Sequence, residues 1–269
     1  MHILSFHKIT PDQLALVGGK GLNLARLTQL GVNVPAGFVV TTESYRQFAR
    51  VPLPSSFRNE LLDAFATLRA PLVAVRSSAV AEDGRQNSWA GQFATYLDVT
   101  RDTLLQRIQD SWASVYSRHA TAYGDTSTEM AVVVQQMIPS ESAGVLFTAN
   151  PVNGAQSEIV IEAVYGLGEL LVQGASIPDN FVLSKTTHQV ITQEIGHKDQ
   201  MLIHKDGQHV QVPVSAAKQD SPVLNDDQLA ELAKTGQYIE AKYGYPLDLE
   251  WAYYDNQLFI LQARPITTL

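Results

Sequence analysis

The sequence contains no cysteine. Disulfides, thiolate metal centres and cysteine nucleophiles are therefore excluded. It has no apolar run of 18 or more residues and no signal-peptide pattern at its start, so the expectation is a cytoplasmic protein with no membrane partner. None of its seven histidines falls in a close metal-ligand spacing such as HExxH. Positive charge is in short supply. Lys and Arg number 19 against 27 Asp and Glu, a net charge of −8. That balance argues against a general nucleic-acid or anionic-membrane surface and leaves room for a local basic pocket. There is no internal repeat, no low-complexity linker and no Walker A sequence.

What is present reads as an ordinary globular chain. Hydrophobic residues make up 45% and charged residues 17% of 269 positions, enough for one large domain or two lobes. Strand patterns at 71–79, 93–99, 130–138, 143–151 and 179–185 are interspersed with helical patterns at 43–50, 57–68, 103–123 and 226–244. Residues 188–220 are polar with alternating strand signals, and Lys205-Asp206-Gly207-Gln208 reads as a hairpin turn. The mixture, with much antiparallel character, predicts an α+β fold.

Near the C-terminus, residues 248–265 read DLEWAYYDNQLFILQARP. Two strands flank Asp255-Asn256. A two-residue turn there mixes apolar and polar residues on both faces. A three-residue turn, Asp255-Asn256-Gln257, gathers Leu249, Trp251, Tyr253, Phe259, Leu261 and Ala263 on one face, and is the register expected. It sets Glu250 opposite Gln262 and Asp248 opposite Arg264. Two oxygen donors beside a planar cation suit a Mg²⁺–phosphate site. The same stripe, taken alone, equally describes a solvent-facing strand with an ordinary Asp–Arg pair.

Three polar loops carry phosphate-compatible chemistry. Gly18-Gly19-Lys20 stands at an expected helix N-terminus, where backbone N–H groups and the helix dipole favour an anion. Arg76-Ser77-Ser78 ends an apolar strand with a guanidinium and two hydroxyls. A glycine-containing loop runs from Ser88 to Gly91. Each alone is also compatible with a capped helix or a plain surface turn.

Taken in order, VGGKGLNLARLTQLGVNVPAGFVVTT, AVRSSAVAEDGRQNSWAGQFATYLDV, MAVVVQQMIPSESAGVLFTANPVNG, YGLGELLVQGASIPDNF and DLEWAYYDNQLFILQARP resemble the nucleotide-binding domain of the phosphoenolpyruvate synthase and pyruvate phosphate dikinase family, a domain that rifampin phosphotransferase also carries. The resemblance runs from Val17 to Pro265. It implies an ATP-grasp fold with ATP clamped between two lobes, residues 1–130 holding Lys20, Arg76 and the glycine-rich loop, and residues 131–269 holding the metal and phosphate hairpin. It further implies that Lys20 and Arg76 contact phosphates, that Gly91 and Thr95 lie where a glycine-rich loop covers the nucleotide, and that Gln135, or Gln136 in its place, lines the adenine pocket. Glu250 and Gln262 would hold Mg²⁺, and Arg264 would neutralise the phosphates in transfer.

The implied reaction is dikinase-like transfer of a phosphoryl or pyrophosphoryl group from Mg-ATP, with AMP and phosphate as by-products. The acceptor would be a histidine on a separate carrier domain, working with a separate substrate-binding domain, or a small molecule. A non-catalytic nucleotide-binding module and an excised domain of a larger dikinase are the alternatives. Two departures stand out. His119 lies in the long helical stretch ahead of the third motif and reads as an ordinary surface or packing histidine, none of the other six histidines has the sequence surroundings of the family's phospho-accepting one, and the segment between Phe48 and Ala74 is shorter than the family's pattern leads one to expect.

Overall fold

The apolar segments build two larger antiparallel sheets, beside which Gln200–Lys205 with Gln208–Pro213 and Asp83–Gly84 with Asn87–Ser88 pair as two-stranded ones. The computed structural model describes residues 1–79, 83–84, 87–88, 94–119, 129–205 and 208–267. Its chain divides into two compact units, Met1–Met137 and Ile138–Leu269.

The first unit contains β1 (Ile3–Ser5), α1 (Leu14–Gln29), β2 (Gly37–Val40), α2 (Thr42–Phe48), α3 (Ser55–Thr67), β3 (Val73–Ala79), β4 (Asp83–Gly84), β5 (Asn87–Ser88), β6 (Thr95–Val99), α4 (Leu104–His119) and β7 (Met130–Gln136). Its main sheet has the order β1-β2-β7-β3-β6, antiparallel throughout. The run MAVVV explains why β7 occupies the centre. Side chains of a strand alternate between faces, so an unbroken apolar run can be buried on both. Val132 and Val134 pack with Phe57, Leu61, Ile108 and Trp112 of α3 and α4. Ala131 and Val133 pack on the other face with Val17, Leu24 and Ala25 of α1.

The second unit contains β8 (Ser142–Phe147), β9 (Glu158–Tyr165), α5 (Glu169–Val172), β10 (Asp179–Ser184), β11 (Val190–Glu194), β12 (Gln200–Lys205), β13 (Gln208–Pro213), α6 (Ala216–Gln219), α7 (Asp226–Tyr243), β14 (Leu247–Tyr254) and β15 (Gln257–Pro265). Its larger sheet has the order β11-β10-β9-β8-β14-β15, and β12 pairs with β13 as a separate hairpin. α7 starts with a capping box between Asn225 and Gln228 and stops at Gly244 in the left-handed conformation. It lies on the sheet face that carries Leu146. A Cβ on Gly236 would sit 2.7 Å from Leu146 Cδ2, so glycine there permits the close approach. That packing leaves the opposite face of β8, β14 and β15 for polar side chains.

The α+β class expected from the sequence is the class observed. The expected lobe boundary, 130/131, falls at the start of β7. Pairing with β2 and β3 keeps that strand in the first unit, which ends at Met137.

Candidate functional site

In the first unit, β3 places Val73, Val75, Ser77 and Ala79 on the α3/α4 face and Ala74, Arg76 and Ser78 on the α1 face. Arg76 is paired across the ladder with Thr95 on one side and Val133 on the other. Ala74 is paired with Gln135. Arg76, Thr95 and Gln135 therefore share one face of the sheet, the face that α1 partly covers. Gln136 is paired with Val73 and points to the other face, so of the two glutamines Gln135 is the one on the face of Arg76 and Thr95. Gln135 is buried, and its amide nitrogen has no hydrogen-bond partner among the described residues. A buried amide without a partner costs free energy unless a ligand satisfies it.

α1 is two helices joined at a kink: Gly18, at φ 69° and ψ 174°, ends the short first one and the second starts directly after it, so Gly18-Gly19-Lys20 stands at a helix N-terminus as expected. A Cβ at Gly18 would lie 2.1 Å from the Ser78 carbonyl oxygen, which is why glycine is needed there. Ser78 Oγ accepts from the Gly21 N–H at 3.1 Å and donates to the Val17 carbonyl at 2.8 Å, capping the restarted helix from β3. Lys20 follows the kink and is buried. Ser77 Oγ donates to the Ala94 carbonyl at 3.1 Å. Both hydroxyls of Arg76-Ser77-Ser78 thus hold the fold together, and Arg76 is the member of that tripeptide left with a phosphate-compatible role. Thr95 is the first residue of β6, within the strand expected over 93–99. Gly91 lies outside the described residues, as does the side chain of His119.

In the second unit, the C-terminal hairpin combines the two registers that the sequence offers. Asp255 and Asn256, at φ 49° and 56°, make a two-residue turn. Tyr254 pairs with Gln257, Tyr253 with Leu258 and Trp251 with Ile260. A bulge then shifts the ladder by one residue at Leu261, so that Glu250 pairs with Gln262 and Asp248 with Arg264. The tip follows the two-residue register and the base follows the three-residue one. As a result Leu258 and Ile260 join Trp251 and Tyr253 in the core, while Phe259 and Leu261, expected there, are only half-buried. The polar pairing expected at the base is the one observed.

Arg264 donates from Nε at 2.7 Å and from Nη2 at 2.6 Å, both to Asp248 Oδ2. Asp248 Oδ1 is buried with no hydrogen-bond partner among the described residues. Burial pushes the Asp248 carboxyl above its ordinary range, the Arg264 charge and hydrogen bond pull it down, and the Glu250 charge pushes it up. Ladder pairing runs from Gln262 through Glu250 and Val145 to Glu162 on β9, so Glu162 lies on the same sheet face. Burial raises the Glu162 carboxyl, and the Asp248 charge raises it further. Sequence reasoning missed Glu162. Its signal was a lone carboxylate in the apolar run IVIEAVY.

This donor set fits a hard divalent cation. It offers carboxylate and amide oxygens, an orphaned carboxylate oxygen, and more acid than the one guanidinium neutralises. Glu250 and Gln262 are the residues that would hold it.

Residues 14–52 and 46–269 match the family described as "Pyruvate phosphate dikinase, AMP/ATP-binding domain". The chain belongs to this family. Its relatives include the probable phosphoenolpyruvate synthase of Pyrococcus horikoshii, 33% identical over 355 aligned positions covering 98% of this chain and 43% of that protein. The rifampicin phosphotransferase of Streptomyces sviceus is 37% identical, covering 100% of this chain and 36% of that one. The prodigiosin synthesizing transferase PigC of Serratia marcescens is 36% identical, covering 94% and 32%. The chain thus spans well under half the length of these relatives. The dinucleotide-forming acetyl-coenzyme A synthetase 1 of Ca. Korarchaeum cryptofilum aligns over 98% of this chain and 93% of that one, with a TM-score of 0.49 and 10% identity. The two matched pieces meet at residues 46–52, beside the segment expected to be short. The alignment of 355 positions against 269 residues means that the Pyrococcus protein carries sequence this chain lacks.

Proposed function

We propose that this chain is the Mg-ATP-binding component of a dikinase-type phosphotransferase with an ATP-grasp fold. The observation that carries the reading is the Glu250–Gln262 pair beside the Asp248–Arg264 ion pair on one sheet face, in a chain of this family. Phosphoryl transfer is accelerated mainly by positioning and charge neutralisation. In this reading Lys20 and Arg76 bind phosphate oxygens. Gln135 gives its buried amide to the adenine. Thr95 stands beside Arg76 on the nucleotide-facing side, and Gly91 belongs to the loop that covers the nucleotide. Glu250 and Gln262 hold Mg²⁺, which supplies charge neutralisation between phosphates when bound.

Arg264 neutralises charge on the group in transfer. Asp248 is a positioning residue: both guanidinium bonds go to one of its oxygens, which fixes the plane of Arg264. The acceptor is a histidine on a separate carrier domain or a small molecule, and the products are AMP and phosphate. The short span relative to the relatives supports a partner domain for carrier and substrate.

Calorimetric titration with Mg-ATP, beside Glu250→Ala and Arg264→Ala, tests the reading. The expected result is saturable binding that each substitution weakens by about 10- to 100-fold, the loss of a hydrogen bond to a charged group. Absence of binding at millimolar nucleotide overturns a self-sufficient ATP site in this chain. With binding established, AMP against ADP as product separates pyrophosphoryl from simple phosphoryl transfer.

A further inference from the structure

The hairpin of β12 and β13 brings together two histidines that the nucleotide reading does not use. His204 pairs directly across the ladder with His209. Their rings are 6.1 Å apart at 83°, and one ligand atom of each lies within 4.8 Å of the other's. Directly opposed residues on antiparallel strands have Cβ atoms about 4.5–5.5 Å apart, so a small rotamer adjustment brings both imidazoles to one ion. A third residue orders the pair. Glu169 of α5 holds His209 Nδ1 at 3.3 Å through Oε2. With the proton of a neutral His209 on Nδ1, facing that carboxylate, the lone pair for a metal is on Nε2, which is buried. His209 itself is 13% exposed in its side chain. A carboxylate on the far nitrogen of a histidine is the usual outer partner of a metal-bound imidazole, fixing its tautomer and its plane.

We propose that His204 and His209 bind a borderline divalent transition ion of the Zn²⁺ class, with Glu169 as the outer-shell positioning residue. Imidazole nitrogens favour such ions over Mg²⁺ or Ca²⁺, which take oxygen. Water completes the shell in the free protein. The site fastens the hairpin to the start of α5. It reinforces an existing tether, in which Leu167 N–H donates to the Leu202 carbonyl at 2.8 Å. This proposal stands independently of the nucleotide reading.

The test is titration of the full chain, without nucleotide, with Zn²⁺ by calorimetry and with Co²⁺ by its visible absorption. His204→Ala, His209→Ala and Glu169→Gln are measured alongside, each checked for folding by circular dichroism. The expected result is one equivalent bound, a Co²⁺ spectrum with nitrogen ligation, and loss of both in either histidine variant. Glu169→Gln is expected to weaken binding by about 10- to 100-fold while keeping the spectrum. Zn²⁺ is also expected to raise the melting temperature of the wild type and not of His209→Ala. The absence of binding at 1:1 overturns the proposal, as does binding that folded His204→Ala and His209→Ala retain unchanged, which would assign the ion to other residues.

Discussion

Glu250 and Gln262 lie opposite one another only because Leu261 is an extra residue in β15. On the tip side of the bulge, paired residue numbers follow the two-residue turn. On the base side they follow a register one residue longer. The bulge lets the hairpin bury Leu258 and Ile260 beside Trp251 while still presenting Glu250, Gln262, Asp248 and Arg264 together. Bulges commonly re-aim side chains in this way beside functional sites.

The turn at the tip is improvable. Asp255 and Asn256 both have positive φ, and a two-residue turn of this kind favours glycine at its second position. Asn256→Gly is expected to raise stability by a few tenths to about 1 kcal/mol, and Asn256→Ala to lower it. Urea unfolding followed by tryptophan fluorescence measures both. A loss on Asn256→Gly would show that the Asn side chain itself holds the turn.

Strand parity separates Gln135 from Gln136. Gln135 shares the face of Arg76 and Thr95, while Gln136 lies on the face of Val73. Gln135→Ala is therefore expected to weaken Mg-ATP binding by about 5- to 10-fold, one neutral hydrogen bond, and Gln136→Ala to leave it within about 2-fold. The reverse order, read from the same calorimetric titration, would exclude the α1 face of this sheet as the adenine side.

These elements show what the sequence could convey. Antiparallel α+β organisation and the strands at β3, β7 and β10 were readable from apolar runs and their breaks. So was the Glu250–Gln262 pairing, because its polar stripe needs one register. The bulge was not readable, since it arises from two local preferences being met at once: a tight turn at Asp255-Asn256 and a clean core at the tip. The hydroxyls of Ser77 and Ser78 looked like phosphate ligands because their partners, the Ala94 and Val17 carbonyls, are distant in sequence or belong to another element. The histidine pair was hidden for a related reason. His204 and His209 have no helical metal spacing, yet the pairing of β12 with β13 sets them opposite each other; the middle of the turn expected at Lys205-Asp206-Gly207-Gln208 lies outside the described residues.

The kink in α1 makes a sharp stability prediction. Gly18→Ala adds a Cβ 2.1 Å from the Ser78 carbonyl at a φ of 69°, so either β3 or the helix must move. The expected loss is at least about 2 kcal/mol. Ser78→Ala removes the group that caps Gly21 N–H and bonds the Val17 carbonyl in a buried setting, an expected loss of about 1–3 kcal/mol. Thermal unfolding of both variants checks the pair. Wild-type stability in Gly18→Ala would mean that the positive-φ kink is not required.

Glu162 makes a prediction about pH. Its carboxyl is raised above the ordinary value of 4.5, first by burial and then by the Asp248 charge. A carboxyl raised in the folded state binds protons there that the unfolded chain has already released. Its contribution to stability therefore declines as pH rises from about 4.5 through its folded value, and stays diminished above it. Glu162→Gln removes that decline. Relative to the wild type, the variant is expected to be more stable at pH 7 than it is at pH 4, where Glu162 carries its proton in both states. Asp248, also raised by burial, leaves part of the slope in place, so the pH profile should flatten rather than vanish. Melting temperatures of both proteins across pH 4 to 8 in low-salt buffer without divalent ions decide the matter. An offset between variant and wild type that is constant across that range would mean that the Glu162 carboxyl is not held against its charge, and that it stands apart from the Asp248–Glu250 cluster.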